Sequence, residues 1–259
     1  MLMSAEQLKR MLDSKVEKYN CKEFIANDPV QFVHAFEERK DIEIAALLAS
    51  IIAWGNRKMI LRSGQKMLFD IMERRPYDFI MKGCWQQLEE SENIHRTFFV
   101  RDLKYICRGL QYIYTHNNSL EELFIGKDVW TGIERLRSDF VEANNGITTR
   151  HISNPIKVAG KQASACKRLH MMLRWLCRRD GIVDLGIWRN VEPSQLMIPL
   201  DVHVARIGRQ LGLIESKQNN RRTVEALTER MREFCPDDPV KYDFALFGIG
   251  VEGESIEIK

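Results

Sequence analysis

Apolar residues recur at the spacing of an α-helix along almost the whole of this 259-residue chain. Alternating apolar and polar runs long enough to form strands are scarce, so the pattern predicts an all-α fold. Residues 129–142 and 184–189 are among the predicted helices. A composition of 44% hydrophobic and 29% charged residues is ordinary for a globular protein and argues against a disordered chain. Because no apolar run approaches the length that spans a bilayer, we expect a cytoplasmic protein that is not bound to a membrane.

One turn-rich stretch divides the helical pattern. It runs from residue 144 to residue 155 and holds Asn-Asn-Gly and Ser-Asn-Pro. Such clusters mark loops, and we therefore expect an N-terminal helical lobe over residues 1–150 and a C-terminal lobe over residues 151–259. Together the lobes are expected to form a single unit over residues 1–259, present as a monomer.

A basic helix is predicted in the C-terminal lobe, over residues 163–179. Its apolar stripe consists of Leu169, Met172, Leu173 and Leu176. On the opposite side, Lys167, Arg174 and Arg178 fall close to one line, and a row of outward-facing cations is expected there. Every charged residue between Lys157 and Arg179 is positive, whereas a face that is merely solvated usually mixes both signs. The row therefore favours a nucleic-acid phosphate backbone over simple solvation.

A second segment, Pro199-Leu200-Asp201-Val202-His203-Val204, predicts the start of another helix. Asp201 stands where an N-cap belongs, and a purely structural cap would stabilise the helix by about 1 kcal/mol. A carboxylate held at a helix start is also rigid and ionised, so it is able to face a developing positive charge. Both roles are compatible with the sequence.

The six cysteines are scattered and include no Cys-x-x-Cys pair. This spacing argues against a zinc site or an iron–sulfur cluster. We therefore expect no metal and no cofactor, with the cysteines acting as buried packing residues. The net charge is only +3, so any surface that binds a polyanion must be local.

A lysine early in a helix followed by PLDVHVARIGRQLGL resembles the helix-hairpin-helix superfamily of base-excision DNA glycosylases. The layout is closest to the lysine-bearing 8-oxoguanine DNA glycosylases that also act as lyases at apurinic or apyrimidinic (AP) sites. Three segments, SACKRLHMMLRW, PLDVHVAR and DPVKYDFALFGIG, are also similar to a bacterial family of unknown function. The hairpin departs from the superfamily, because its stretch GKQASAC carries one glycine rather than two. The resemblance thus implies a two-lobed glycosylase-like fold with a degenerate helix-hairpin-helix motif.

The resemblance also implies an activity, base-excision DNA repair of a damaged base such as an oxidised purine in duplex DNA. Lys167 would attack the sugar C1′ as a neutral amine and form a Schiff base, which can proceed to strand cleavage. Asp201 would stabilise the transition state, which resembles an oxocarbenium ion, and orient the lysine. This chemistry requires no metal.

Two groups of supporting residues are expected around this pair. The candidates for contacts to the DNA are Arg57, Lys161, Ser164, Arg168, Arg174 and Arg178. The candidates for the pocket that receives the base are Trp54, Asn56, Gln65 and Trp175. A base needs a stacking face and polar edge contacts, although the two tryptophans also suit the core.

Three functions remain open at this point. The first is a DNA glycosylase with AP-lyase activity, which the joint presence of Lys167 and Asp201 favours. The second is a non-catalytic nucleic-acid-binding protein on the same fold, which the altered hairpin favours. The third is a helical scaffold whose cations bind an acidic protein or a metabolite. A steep salt dependence of DNA binding would separate the first two from the third.

Overall fold

The computed structural model describes residues 3–160 and 162–253. Eleven α-helices run through these residues: α1 (Ala5–Tyr19), α2 (Lys22–Ala26), α3 (Arg39–Ile52), α4 (Arg57–Gln65), α5 (Pro76–Met81), α6 (Val100–His116), α7 (Val129–Ala143), α8 (Lys167–Cys177), α9 (Val202–Gln210), α10 (Arg221–Phe234) and α11 (Tyr242–Glu252). The strands β1 (Asn93–His95) and β2 (Phe98–Phe99) form a small antiparallel pair. The protein is thus mostly α-helical, as predicted. Within the described ranges, every helix is too short or too polar to cross a lipid bilayer.

Helix α3 forms the centre of the core. Every residue from Ile42 to Ile52 is buried, including Glu43 and Ser50. A helix that is apolar nearly all round must be enclosed by other elements, and α3 packs against α4, α5 and α8. It therefore holds the start of α8 and the loop after Ile52 in fixed positions.

The first and the last helix pack against each other. Helix α1 packs along α11, and α11 packs along α9. Small residues permit this approach, because a Cβ on Gly248 would lie 2.3 Å from the Tyr19 ring. Helices from both predicted lobes are therefore in direct contact.

The insertion between α8 and α9 is pinned to the core by polar contacts. The Trp188 indole Nε1 donates to Glu43 Oε1 at 2.8 Å, and both residues are fully buried. Tyr114 OH donates to Glu43 Oε2 at 2.9 Å, so one buried carboxylate ties three segments together. The helix predicted over residues 184–189 is wrong, since an extended path is what allows Trp188 to reach Glu43.

Candidate functional site

A cavity of about 890 Å³ opens where α8 and α9 begin. Its other walls come from the loop before α4, the segment that contains Phe24 and Asp28, and one face of α11. Two helix N-termini therefore point toward one space, and both termini carry a residue singled out by the sequence. The structure places Lys167 and Asp201, separated by 34 residues in the chain, in this same cavity.

Lys167 is the first residue of α8. Cys166 before it adopts the left-handed conformation, with φ +45°, so the helix starts abruptly rather than at residue 163 as predicted. The Lys167 side chain is half-buried in the cavity wall and makes no hydrogen bond or ion pair with the described residues. Its ammonium group is therefore available to a ligand.

Asp201 is the N-cap of α9. Its Oδ1 accepts from the backbone N–H groups of His203 and Val204, both at 2.8 Å. The carboxylate is thereby held in one orientation while it lines the cavity. The capping role is thus present in the structure, and it leaves Asp201 facing the space that Lys167 also faces.

The end of α11 supports this start of α9. His203 Nδ1 and the backbone oxygen of Gly250 lie 3.1 Å apart, and a Cβ on Gly250 would lie 2.7 Å from the His203 Cβ. His203 therefore makes a backbone contact and packs, and the small residue near the end of α11 positions the Asp201 segment.

Two further carboxylates line the cavity, and sequence reasoning did not place them there. Asp28 and Asp243 are 8% and 6% exposed. Burial, opposed by Arg174 and Lys167 and assisted by Asp201, raises the pKa of Asp243 to about 6. Burial also raises the pKa of Asp28, against the opposing charges of Arg174, Arg57 and Lys167. These mutual influences indicate that the cavity charges act on one another.

Arg174 and Arg178 do not face outward, and this prediction is wrong. Each is 4% exposed. Arg174 pairs with Asp184 (Nε to Oδ1, 3.2 Å) and with Asp243, while Arg178 pairs with Asp184 (Nη1 to Oδ2, 3.1 Å). Arg178 also binds Asp180 and Asp238. Because these carboxylates occupy both guanidinium groups, neither is free to bind a DNA phosphate, although Arg174 still forms part of the cavity wall.

The remaining DNA-contact candidates fall at the cavity. Arg57, Ser164 and Arg168 all line it. The Arg57 Cζ lies 5.8 Å from the centroid of the Phe247 ring. The Arg168 guanidinium donates to the backbone oxygen of Ile51. Neither arginine forms an ion pair within the described part of the chain. Lys161 lies outside the described residues.

Only one of the four base-pocket candidates lines the cavity. Trp54 does, beside Phe24 and Phe247, which the structure adds. Asn56 caps α4 by accepting from Met59 N at 3.3 Å, and Gln65 is exposed at the end of that helix. Trp175 is fully buried in the core. Asn56, Gln65 and Trp175 therefore do not line this cavity, because backbone capping, helix phase and core packing direct these side chains elsewhere.

The hairpin region differs from a helix-hairpin-helix motif. Between α7 and α8, the described residues form no helix. Instead, Ser164 makes an isolated β-bridge with Asn220, and its hydroxyl accepts from the Cys166 N–H at 3.2 Å. The first helix of the predicted degenerate motif is thus missing from the described residues, and an extended segment leads into Lys167.

The chain belongs to a family of proteins of unknown function, DUF2400. The family model matches residues 28–252, a range that runs from Asp28 through the cavity residues of α11. No curated protein and no solved structure gave a match. The family description names no activity.

Proposed function

We propose that this protein is a DNA glycosylase with AP-lyase activity that removes a damaged base through a Schiff base on Lys167. The observation that carries the proposal is the meeting of two side chains in one cavity. Lys167 has no partner among the described residues, and Asp201 is held by its cap. A protein that only bound phosphates would need the cation but not the fixed carboxylate in the same cavity.

The reaction follows from these two groups. The Lys167 ammonium loses a proton to solvent, and the neutral Nζ then attacks C1′ of the damaged nucleotide. The bond between C1′ and the base breaks, its electron pair leaves with the base, and the base takes up a proton. Asp201 stabilises the positive charge that develops at C1′ as this bond breaks.

The covalent intermediate then opens the way to strand cleavage. The sugar ring opens as its ring oxygen is protonated, which leaves a C=N⁺ bond between C1′ and Nζ. Loss of a C2′ proton expels the 3′ phosphate, and water finally hydrolyses the imine and releases Lys167. Borohydride traps the intermediate because it delivers a hydride to the imine carbon.

The cavity has the size and lining for an extruded nucleotide. Its volume of about 890 Å³ falls in the range of about 300–1,000 Å³ that is usual for ligand sites. Phe24, Trp54 and Phe247 offer aromatic faces, while Arg57 and Arg168 supply charges for the phosphates. Extrusion costs a few kcal/mol, and stacking and phosphate contacts provide the compensation. We propose damaged duplex DNA as the partner and an oxidised purine as the lesion.

The test is borohydride trapping on duplexes that contain 8-oxoguanine or an abasic site. The wild-type protein should form a covalent adduct, and Lys167→Ala should abolish it. Lys82→Ala is the matched control, because Lys82 is an exposed lysine paired with Asp78 and lies outside the cavity. Lys167→Gln should keep DNA affinity within several-fold while losing the adduct.

A non-catalytic nucleic-acid-binding protein is the second candidate. The altered hairpin favours it, because the described residues before α8 form no helix and depart there from the motif of the catalytic superfamily. Salt-sensitive DNA binding without trapping on any oxidised, alkylated or abasic duplex would establish this second function. An adduct that persists in Lys167→Ala would refute Lys167 as the nucleophile.

A further inference from the structure

We infer that Asp28 reads the base in the cavity and selects the edge of guanine and its oxidised derivatives, which presents two neighbouring N–H donors. This inference rests on the proposed function and names the substrate class of the same cavity. It starts from a carboxylate that the proposed reaction does not use. Asp28 belongs to the N-terminal segment of the chain, whereas Lys167 and Asp201 come from α8 and α9.

The Asp28 carboxylate has an acceptor oxygen that no described residue uses. Its Oδ1 accepts from the Val30 N–H at 3.0 Å, which fixes the orientation of the carboxylate. Its Oδ2 has no donor, and the group has no ion pair, within the described ranges. A carboxylate that is 8% exposed and lacks a counter-ion is costly unless donors reach it. A ligand that supplies N–H groups at the cavity wall meets this need.

Apolar side chains share the cavity wall with Asp28. Phe24 and Pro29 are close to it in the sequence and line the same cavity, so the acid lies beside apolar surface. Phe24 packs edge-on against Phe247, with ring centroids 6.4 Å apart. A cavity wall with aromatic side chains and one carboxylate suits a planar ring whose edge carries N–H donors. Asp28 and Lys167 line the same cavity, so both are placed to act on one ligand.

The four bases differ in the donors and acceptors on their pairing edges. Burial raises the pKa of Asp28, and N–H donors from a ligand favour its ionised form against that effect. An ionised carboxylate only accepts hydrogen bonds, and it accepts two from a pair of neighbouring donors. On its pairing edge guanine offers N1–H and the 2-amino group side by side. Adenine and cytosine each place a ring-nitrogen acceptor next to the amino group, and thymine places a carbonyl on each side of N3–H. Asp28 therefore repels three of the bases and fits guanine, including 8-oxoguanine, whose pairing edge retains both donors.

The experiment compares two lesions that differ by one donor. Duplexes carrying 8-oxoguanine or 8-oxohypoxanthine, which lacks the 2-amino group, are cleaved under single-turnover conditions. The wild-type protein should excise 8-oxoguanine roughly 10-fold to 100-fold faster, the value of a good bidentate pair. Asp28→Asn should reduce that ratio to within about 3-fold of unity, because an amide offers one acceptor and presents a donor to a donor.

A matched variant separates recognition from folding. Asp128 caps α7 by accepting from Trp130 N at 3.0 Å and lies outside the cavity, so Asp128→Asn makes the same change at another cap. Asparagine caps helices about as well as aspartate, and both variants should melt close to the wild type. Only Asp28→Asn should change the ratio between the two lesions.

Trapping on an abasic duplex distinguishes the two proposals, because that substrate carries no base to read. If the wild type forms no adduct there, the proposed function fails and this inference fails with it. If the adduct forms but neither purine is excised, or the ratio is the same in the wild type and in Asp28→Asn, this inference alone is overturned.

Discussion

Replacing Arg174 by methionine tests whether the cations of α8 stabilise the interior or serve a surface. The change removes a guanidinium that lies between Asp184 and Asp243, which are 1% and 6% exposed. Breaking a buried ion pair by removing one partner costs about 3–5 kcal/mol. Arg178 still serves Asp184, so we expect the lower end, about 3 kcal/mol. For a chain of this size, that loss corresponds to a fall in Tm of about 6–12 °C.

Calorimetry or thermal circular dichroism at neutral pH measures the effect. The control is Arg230→Met, which breaks an exposed pair with Glu233 and should cost under about 1 kcal/mol. The double variant Arg174→Met with Asp243→Asn should recover part of the loss, since it leaves one fewer unpaired charge in the interior. An Arg174→Met protein as stable as the Arg230→Met protein would refute the buried network and return Arg174 to an exposed role.

Three further predictions concern the cavity. Asp201→Ala should lower the free energy of unfolding by about 1 kcal/mol, whereas Asp201→Asn should keep the cap and the Tm yet slow excision about 100-fold, measured in single turnovers. Because the pKa of Asp243 is raised to about 6 in the folded state, its contribution to stability is present at low pH and lost as pH rises through that value. The free energy of unfolding, measured by denaturant between pH 3.8 and a pH above 6, should fall in the wild type and fall less in Asp243→Asn. Gly250→Ala should destabilise the protein by about 1–3 kcal/mol and reduce trapping, since its Cβ would displace His203 at the start of α9.

The helices were largely predictable because their apolar spacing is regular. Helix α7, predicted over residues 129–142, spans Val129–Ala143 in the structure. Where the prediction failed, a long-range contact decided the conformation. The stretch around Trp188 has helical spacing, but its indole reaches Glu43 of α3, 145 residues away in the chain, and the backbone follows that bond. The local sequence pattern does not indicate a partner so distant in the chain, and such a contact overrides local helix propensity.

The candidate site was predictable only where a motif named its residues. Lys167 and Asp201 each begin a helix, and their segments stand out in the sequence. Asp28 carries only the signature of a cap before a proline, and Asp243 looks like an acid in the first turn of α11. Both become cavity residues because α2, α4, α8, α9 and α11 contribute walls to one space, and this arrangement depends on the whole fold.

The misplaced arginines change what the cavity offers to a ligand. Every residue of α8 from Leu169 to Cys177 is buried, so the helix has no outer face on which a row of cations could lie. The acids that follow the basic run, at Asp180 and Asp184, fold back and neutralise Arg174 and Arg178. Lys167, about two turns before Arg174, has no such partner among the described residues. The network therefore pairs Arg174 and Arg178 in the interior and leaves the Lys167 amine at the cavity without an ion pair among the described residues, which is the arrangement that the proposed nucleophile requires.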